Sequence, residues 1–249
     1  MLKSLLNIFK KIIADNKHNS ASIQITPKEQ RAIYSKTDFN AYFDTLSPNG
    51  YGLKIIQIGE IRATTNKIVV CDPLACPDSS PLMKEIPLGL HKIEIAIKED
   101  DSFGKRIAFA KLSFNRKNAK KWELALKNND DTSTLEDDDY FGFPVDAAMA
   151  GFYDLAAQSD YLKFLNEFYD LNPNKNIYAD LFDAEFNNGE SDGLWINYRL
   201  PNSETDIIMF TSGLGDGVYP SFWGLTDDDE IASLVIDFLL FEDSESPEL

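Results

Sequence analysis

The segment Lys92–Ile97 reads Lys-Ile-Glu-Ile-Ala-Ile and is the clearest indicator of the fold. Its three isoleucines alternate with lysine, glutamate and alanine, so one face of an extended chain would be apolar and the other more polar. This alternation is typical of a strand that packs on the core with one face and contacts water with the other. The segment therefore predicts an antiparallel sheet.

Further strands are predicted where isoleucine, valine and aromatic residues are concentrated between turn-forming residues. These segments are 53–61, 67–71, 106–114, 194–200, 206–212, 218–224 and 231–240. The last four are joined by short turns, which favours an antiparallel meander. One long helix is predicted over residues 155–169, where apolar residues recur at near-helical spacing. The predicted fold class is α+β, with mainly antiparallel β-sheets in a sandwich-like arrangement, an N-terminal helical segment and one central helix.

The domain organisation follows from shifts in composition along the chain. A single β-rich globular domain is predicted over residues 51–241, after a helical N-terminal extension over 1–50 and before an acidic tail over 242–249. Residues 127–139 are too acidic for a core and are expected to form an exposed loop. That loop would also suit a boundary between two halves. The aromatic-rich segment 140–153 reads as core that needs a partner sheet, so one domain is favoured.

The N-terminal extension is predicted to be helical in three places. Residues 1–17 show the spacing of an amphipathic helix with lysines on its polar face, Thr26-Pro27 is a typical helix start, and residues 38–46 suit a short helix. The first helix is expected to dock on its own domain or on a partner subunit, and the alternative is contact with a membrane surface. Neither a signal peptide nor a membrane span is predicted.

The charge balance restricts the classes of partner. The chain has 24 Lys and Arg against 41 Asp and Glu, a formal net charge of −17. Such a field repels phosphate backbones, so nucleic acid is not expected to bind. It attracts a basic protein or a cation, although the same charge also serves solubility. The oligomeric state is not predicted by the sequence.

Cysteine and histidine are scarce, which restricts the disulfides, metal sites and nucleophilic active sites that the chain could form. Cys71 and Cys76 do not form a disulfide framework, and a reducing cytoplasm is the predicted location. Together with His18 and His91 they lack a zinc-binding spacing, so neither a metal nor a cofactor is predicted. A Ser or Cys triad is not expected, and Cys71 is interpreted as a small buried hydrophobe. No catalytic residue is assigned.

The segment Ser212–Pro220 contains three glycines within five positions, which allows unusual backbone conformations. A dinucleotide-binding loop would need a helix directly after the glycines, whereas the following residues favour an extended segment. Two interpretations remain. The first is a tight hairpin centred on Asp216-Gly217, and the second places Asp216 as a ligand or polar anchor at the mouth of a pocket.

Several carboxylates stand among apolar residues near predicted strand or helix ends, namely Asp72, Asp146, Asp154 and Asp237. Burying a carboxylate is costly unless it meets a donor, a cation or a metal, and Arg106 is the expected cationic partner. If the carboxylates converge, they would suit Mg²⁺ or Ca²⁺, or an acid and base pair. The predicted ligand-binding residues are Asp72, Arg106, Asp146, Asp216, Tyr219 and Trp223, the two aromatic residues serving as stacking walls.

Six separated motifs resemble the bacterial family catalogued as domain of unknown function 4241. They are Ile68–Leu74, Arg106–Ala110, Trp122–Ala125, Phe141–Ala147, Ser212–Pro220 and Leu234–Phe238. Leu214 stands where the family pattern has tryptophan, and Ala148 where it has glycine. The resemblance implies a bacterial origin and a single fold, and it assigns no catalytic role because the family has no established activity.

Two hypotheses about function follow from these observations. The first is a cytosolic protein-binding module, for example an immunity-type protein whose acidic surface neutralises a basic toxin. The alternative is an enzyme that binds a small ligand or a divalent metal in an acidic pocket formed by the residues named above.

Overall fold

The computed structural model describes residues 31–44, 51–136, 139–189 and 191–241. Antiparallel strands dominate and helices are few, which confirms the mainly antiparallel part of the α+β prediction. The expected helices over residues 1–17 and from Thr26, and the acidic tail over 242–249, lie outside the described residues.

The larger sheet contains seven strands: β1 (Tyr34–Ser35), β2 (Lys54–Ala63), β4 (Gly89–Asp100), β5 (Gly104–Ser113), β6 (Lys121–Leu124), β12 (Ser221–Leu225) and β13 (Ile231–Asp237). Their order is β1-β6-β12-β13-β5-β4-β2, with antiparallel pairing throughout. Lys92–Ile97 forms the middle of β4, and Ile93 and Ile95 are fully buried as the alternation predicted.

The smaller sheet has four strands: β3 (Ile68–Cys71), β8 (Met149–Asp154), β9 (Trp195–Arg199) and β10 (Asp206–Thr211). Their order is β3-β8-β10-β9. The two remaining strands, β7 (Phe143–Val145) and β11 (Gly217–Tyr219), pair only with each other and form a two-stranded ribbon. We refer to this pair as the β7–β11 ribbon.

One buried core joins the two main sheets. It contains Ile95 and Leu112 from the larger sheet and Phe152 and Ile208 from the smaller one. The sheets therefore face each other across a shared apolar layer, as in a sandwich. At one edge Gly59 comes so close to the smaller sheet that a Cβ there would lie 2.7 Å from the side chain of Ile208.

Helices cover the outer faces of both sheets. The short α1 (Phe39–Phe43) is capped by Asp38 and packs its aromatic residues on the larger sheet, which buries Ala96 on the face expected to meet water. The predicted long helix is confirmed as α2 (Leu155–Leu171), and it packs on the smaller sheet. A π-helical turn (Tyr178–Phe182) leading into α3 (Asp183–Phe186), and a 3-10 turn (Thr132–Thr134), were not predicted.

The predicted meander at the C-terminal end is wrong. Residues 218–224 form two strands, β11 and β12, which are separated at Pro220 and belong to different sheets. Proline lacks a backbone N–H and fixes its φ angle, so it does not support continuous pairing of a single strand. Consequently β9 and β10 lie in the smaller sheet, whereas β12 and β13 lie in the larger one.

Candidate functional site

Asp72 follows β3 and is fully buried. Its Oδ1 accepts hydrogen bonds from the backbone N–H groups of Leu74 (2.9 Å) and Ala75 (3.1 Å). Its Oδ2 accepts hydrogen bonds from those of Asp146 (3.0 Å) and Ala147 (2.7 Å). Four backbone donors satisfy the buried carboxylate, as burial of such a group requires. The side chain therefore fixes the turn after β3 to the turn between β7 and β8.

Asp216 connects the glycine-rich loop to the same turn. Its Oδ1 accepts a hydrogen bond from the backbone N–H of Ala148 (3.0 Å), and the Ala148 carbonyl accepts one from the N–H of Ser212 (3.0 Å). Ala148 has a φ of 53°, a left-handed conformation that favours glycine. We call residues 72–75, 146–148 and 212–216 the loop cluster.

The glycine-rich loop is held by contacts of its own. The hydroxyl groups of Ser212 and Tyr219 both donate to the carbonyl of Gly215, each at 2.8 Å. Gly213 has a φ of 41°, and a Cβ there would lie 2.8 Å from Phe238. The hairpin interpretation of Asp216-Gly217 is wrong, because β11 pairs with β7 and β10 pairs with β8 and β9.

The structure brings together four of the six predicted site residues. Asp72, Asp146, Asp216 and Tyr219 belong to or contact the loop cluster, although Asp146 contributes its backbone N–H while its side chain is exposed. Trp223 is only 1% exposed, which leaves almost no surface for stacking on a ligand. Tyr219 is also buried, and burial raises the pKa of its phenol.

Arg106 lies elsewhere, on β5 opposite Lys98 of the larger sheet. Its guanidinium donates to the carbonyl of Lys105 at 2.9 Å. The sequence predicts Arg106 as a cationic partner for the carboxylates that stand among apolar residues, and for Asp72 this prediction is wrong because backbone N–H groups satisfy that carboxylate instead. The error arose because a linear sequence does not show which backbone amides surround an acid.

A second buried carboxylate, Asp154, ends β8 and caps α2 through the N–H of Ala156 (3.1 Å). It also accepts hydrogen bonds from the backbone and hydroxyl groups of Thr64 and Thr65, the shortest at 2.6 Å. This carboxylate therefore fixes the connection between β2 and β3 to the start of α2.

Asp154 lines a cleft of about 560 Å³ together with residues of both main sheets and of α2. The cleft is formed by the end of β2, the end of β8, strands β9 and β10, and the first turns of α2. Its polar lining consists of Glu60, Arg62, Thr64, Asp154, Asp160, Asn197, Arg199, Glu204, Thr205 and Asp206. A cleft of this volume falls within the usual range for small-molecule sites, about 300–1,000 Å³.

On β9 and β10, some polar side chains of the lining occupy positions that face the other sheet, where apolar core residues would be expected. Trp195 packs on the core between the sheets, so alternation along β9 directs Asn197 and Arg199 to the same side. On β10, Ile208 belongs to that core and Asp206 shares its face. The core between the sheets therefore ends in a polar row at this edge.

Part of this polar row is already paired. Arg199 and Asp206 lie opposite each other and form a bidentate ion pair, with one N–O distance of 2.8 Å. The hydroxyl of Thr205 donates to Asp160 at 2.6 Å. By contrast, four lining side chains form no hydrogen bond or ion pair with any residue that the structure describes: Glu60, Arg62, Asn197 and Glu204.

The sequence patterns did not predict this cleft. The order Trp-Ile-Asn-Tyr-Arg over residues 195–199 predicts a strand. On the face that begins with Trp195, the next two side chains are polar, and this change from apolar to polar was not interpreted as a site. That alternation is the signal that would have found Asn197 and Arg199. Glu60 and Arg62 alternate on β2 with Ile61 and Ala63 of the core, so their place in the lining of the cleft depends on how the two sheets pack.

The structure also bears on the reactivity of Cys71, on metal binding and on membrane-spanning helices. Burial raises the pKa of the Cys71 thiol, which disfavours the reactive thiolate. In the described part of the chain, no group of three or more His, Cys, Asp and Glu side chains is arranged to hold a metal ion. Nor does any helix among residues 31–241 that the structure describes have the length and apolar character needed to cross a membrane.

The fold and these sites define an α+β protein built from two facing antiparallel sheets. The chain belongs to the family described as protein of unknown function (DUF4241), whose model matches residues 61–236. The family resemblance seen in the sequence is thereby confirmed. No curated protein and no solved structure matches the chain.

Proposed function

We propose that this protein is a binding module that captures a basic protein partner through the β7–β11 ribbon. The observation that carries the proposal is an exposed apolar surface bordered by carboxylates. We call it the ribbon surface, and its exposed side chains are Tyr140, Pro144, Asp146, Leu214, Asp216 and Val218.

Two exposed apolar side chains of the ribbon lie opposite each other on its paired strands. Val218 pairs directly with Pro144, and both are exposed, whereas the flanking Tyr219 and Phe143 are buried. The hydroxyl of Tyr140 donates to the carbonyl of Val218 at 3.2 Å. Leu214, at 66% exposure, lies on the loop that leads into β11. Exposed apolar side chains that are contiguous and bordered by polar groups mark interaction sites.

The loop cluster fixes the segments that adjoin the two strands of the ribbon. Asp72 and Asp216 fix residues 146–148, which directly follow β7, and Asp216 itself directly precedes β11. A surface held in its binding conformation avoids part of the entropy cost of association. The loop cluster therefore serves the proposed function by preorganisation.

Charge identifies the chemistry of the partner. The net charge of −17 favours a basic protein, because complementary fields raise association rates. Asp146 and Asp216 border the apolar centre, where they suit lysine or arginine side chains at the rim. An immunity protein that neutralises a basic toxin is one example of this class.

The test is a pull-down from the native host with three baits: the wild type, Leu214→Asp and Leu88→Asp. Leu88 is a matched control because it is 65% exposed and lies outside the ribbon surface. We expect the wild type and Leu88→Asp to recover one stoichiometric basic protein that Leu214→Asp fails to recover. Recovery of no stoichiometric partner, or equal loss with both variants, would contradict the proposal.

A further inference from the structure

We propose that the cleft between the two sheets binds a small amino-acid-like molecule that carries a protonated amine and a carboxylate. This binding site is separate from the ribbon surface, and it does not depend on the protein-binding function proposed above. The cleft has the volume of a small-molecule site, inward-facing polar residues on β9 and β10, and four lining side chains without partners among the described residues.

Three polar residues on β9 and β10 face the interior of the sandwich. Asn197, Arg199 and Asp206 occupy positions whose neighbours along the strand, Trp195 and Ile208, pack in the core between the sheets. Apolar side chains there would extend the core and close the edge of the sandwich. Polar side chains keep the edge open as a cleft of about 560 Å³.

Some charged groups that line the cleft are already paired within the protein, and others are not. The carboxylate of Asp154 is saturated by Thr64, Thr65 and Ala156, and Arg199 is neutralised by Asp206. These groups maintain the walls of the cleft. A ligand would therefore be recognised by the side chains that have no partner among the described residues, namely Glu60, Arg62, Asn197 and Glu204.

The available groups have a defined chemistry. Glu60 and Glu204 accept hydrogen bonds and attract a protonated amine, whereas the guanidinium of Arg62 matches a carboxylate in bidentate geometry. The amide of Asn197 both donates and accepts. A ligand that satisfies both signs of charge carries an amine and a carboxylate, as amino acids do.

The net charge of the cleft indicates which amino-acid-like molecules would bind best. Its lining has five carboxylates, at residues 60, 154, 160, 204 and 206, against the two guanidinium groups of Arg62 and Arg199. The resulting negative potential favours a ligand with net positive charge. The apolar side chains of Ile61 and Leu90 also line the cleft and suit an aliphatic chain. Amino acids with a basic side chain combine these properties.

The experiment is a thermal-shift titration of the full chain with L-lysine, L-arginine, cadaverine and L-glutamate. Cadaverine is lysine without the carboxylate, and L-glutamate has the opposite net charge. We expect lysine or arginine to raise Tm by about 3 °C at ten times its Kd. Cadaverine and L-glutamate should produce shifts of less than about 1 °C at the same concentration.

Three variants locate the binding site. Glu204→Gln and Arg62→Ala should each reduce the shift by more than half, and both replace exposed side chains, so the fold should be retained. Asp227→Asn is the matched control, because it removes one exposed charge outside the cleft and should preserve the shift. The absence of a shift with both basic amino acids, an equal shift with cadaverine, or an equal loss in the control would overturn the proposal.

Discussion

The loop cluster and the cleft use carboxylates in opposite ways. In the loop cluster, Asp72 is fully buried and accepts four backbone hydrogen bonds. In the cleft, Glu60 and Glu204 are exposed and lack partners among the described residues. The comparison shows that an acid among apolar neighbours in the sequence is often structural. The carboxylates available to a ligand lie instead at exposed positions, Glu60 on the edge strand β2 and Glu204 in the turn between β9 and β10.

The largest expected effect is from Asp72→Ala in the loop cluster. The substitution leaves four backbone N–H groups without their acceptor, and we expect the free energy of unfolding to fall by about 3–5 kcal/mol. Urea denaturation measures this change. The matched substitution in the cleft, Asp206→Asn, weakens a partly exposed ion pair and should cost less than about 1 kcal/mol. Equal losses in the two variants would remove the distinction between the two regions.

A second prediction concerns Tyr161, which lies beside Asp160 of the cleft on α2 but points into the core. Its hydroxyl is buried and has no hydrogen-bond partner within the described structure. Tyr161→Phe should therefore be neutral or stabilising by up to about 1 kcal/mol at pH 7. The result would separate buried polar groups that hold the fold, such as Asp72, from those that do not.

The same residue gives a pH dependence. Burial raises the pKa of Tyr161 in the native state, whereas an unfolded tyrosine titrates near pH 10. As the pH rises, the unfolded state therefore loses its proton first, and the stability present below about pH 10 is lost above it. At pH 11 this contribution is about 1.4 kcal/mol for one phenol. Urea denaturation between pH 8 and 11 should show a shallower decline for Tyr161→Phe than for the wild type, and identical declines would refute the assignment.

A small stabilisation is expected from Ala148→Gly in the loop cluster. Ala148 has a φ of 53°, and an alanine in the left-handed region costs about 1–2 kcal/mol. Part of the gain is offset by the greater freedom of glycine in the unfolded chain, so we expect a net stabilisation of about 0.5–1 kcal/mol. Ala147→Gly is the control and should be destabilising. Thermal unfolding of both variants checks the sign of each effect.

Strands and helices were predictable from the sequence where the spacing of apolar residues within the segment itself was sufficient to define them. The alternation in Lys92–Ile97 correctly predicted the centre of β4, and helical spacing predicted α2. The division of residues 218–224 at Pro220 was not predicted, because the two halves pair with strands that lie far away in the chain. Local pattern specifies a strand, but the choice of sheet depends on long-range pairing.

The sites were less predictable than the fold. The sequence located Asp72 and Asp216, but the amides that Asp72 binds at residues 146 and 147 are more than 70 positions away. A sequence pattern therefore suggests a cationic partner such as Arg106 for a group of carboxylates, but it does not identify these distant amides. The cleft combines β2, β9 and α2, so its available groups became apparent only when the sheets were placed together.

The ribbon surface is the central claim, and the most direct test is a titration of the purified basic partner against the wild type, Leu214→Asp and Leu88→Asp. A charge placed in the apolar centre of an interface should raise Kd by about 100-fold or more, equivalent to about 2.7 kcal/mol. We predict that increase for Leu214→Asp and a change of less than about twofold for Leu88→Asp. An unchanged Kd for Leu214→Asp would contradict the account.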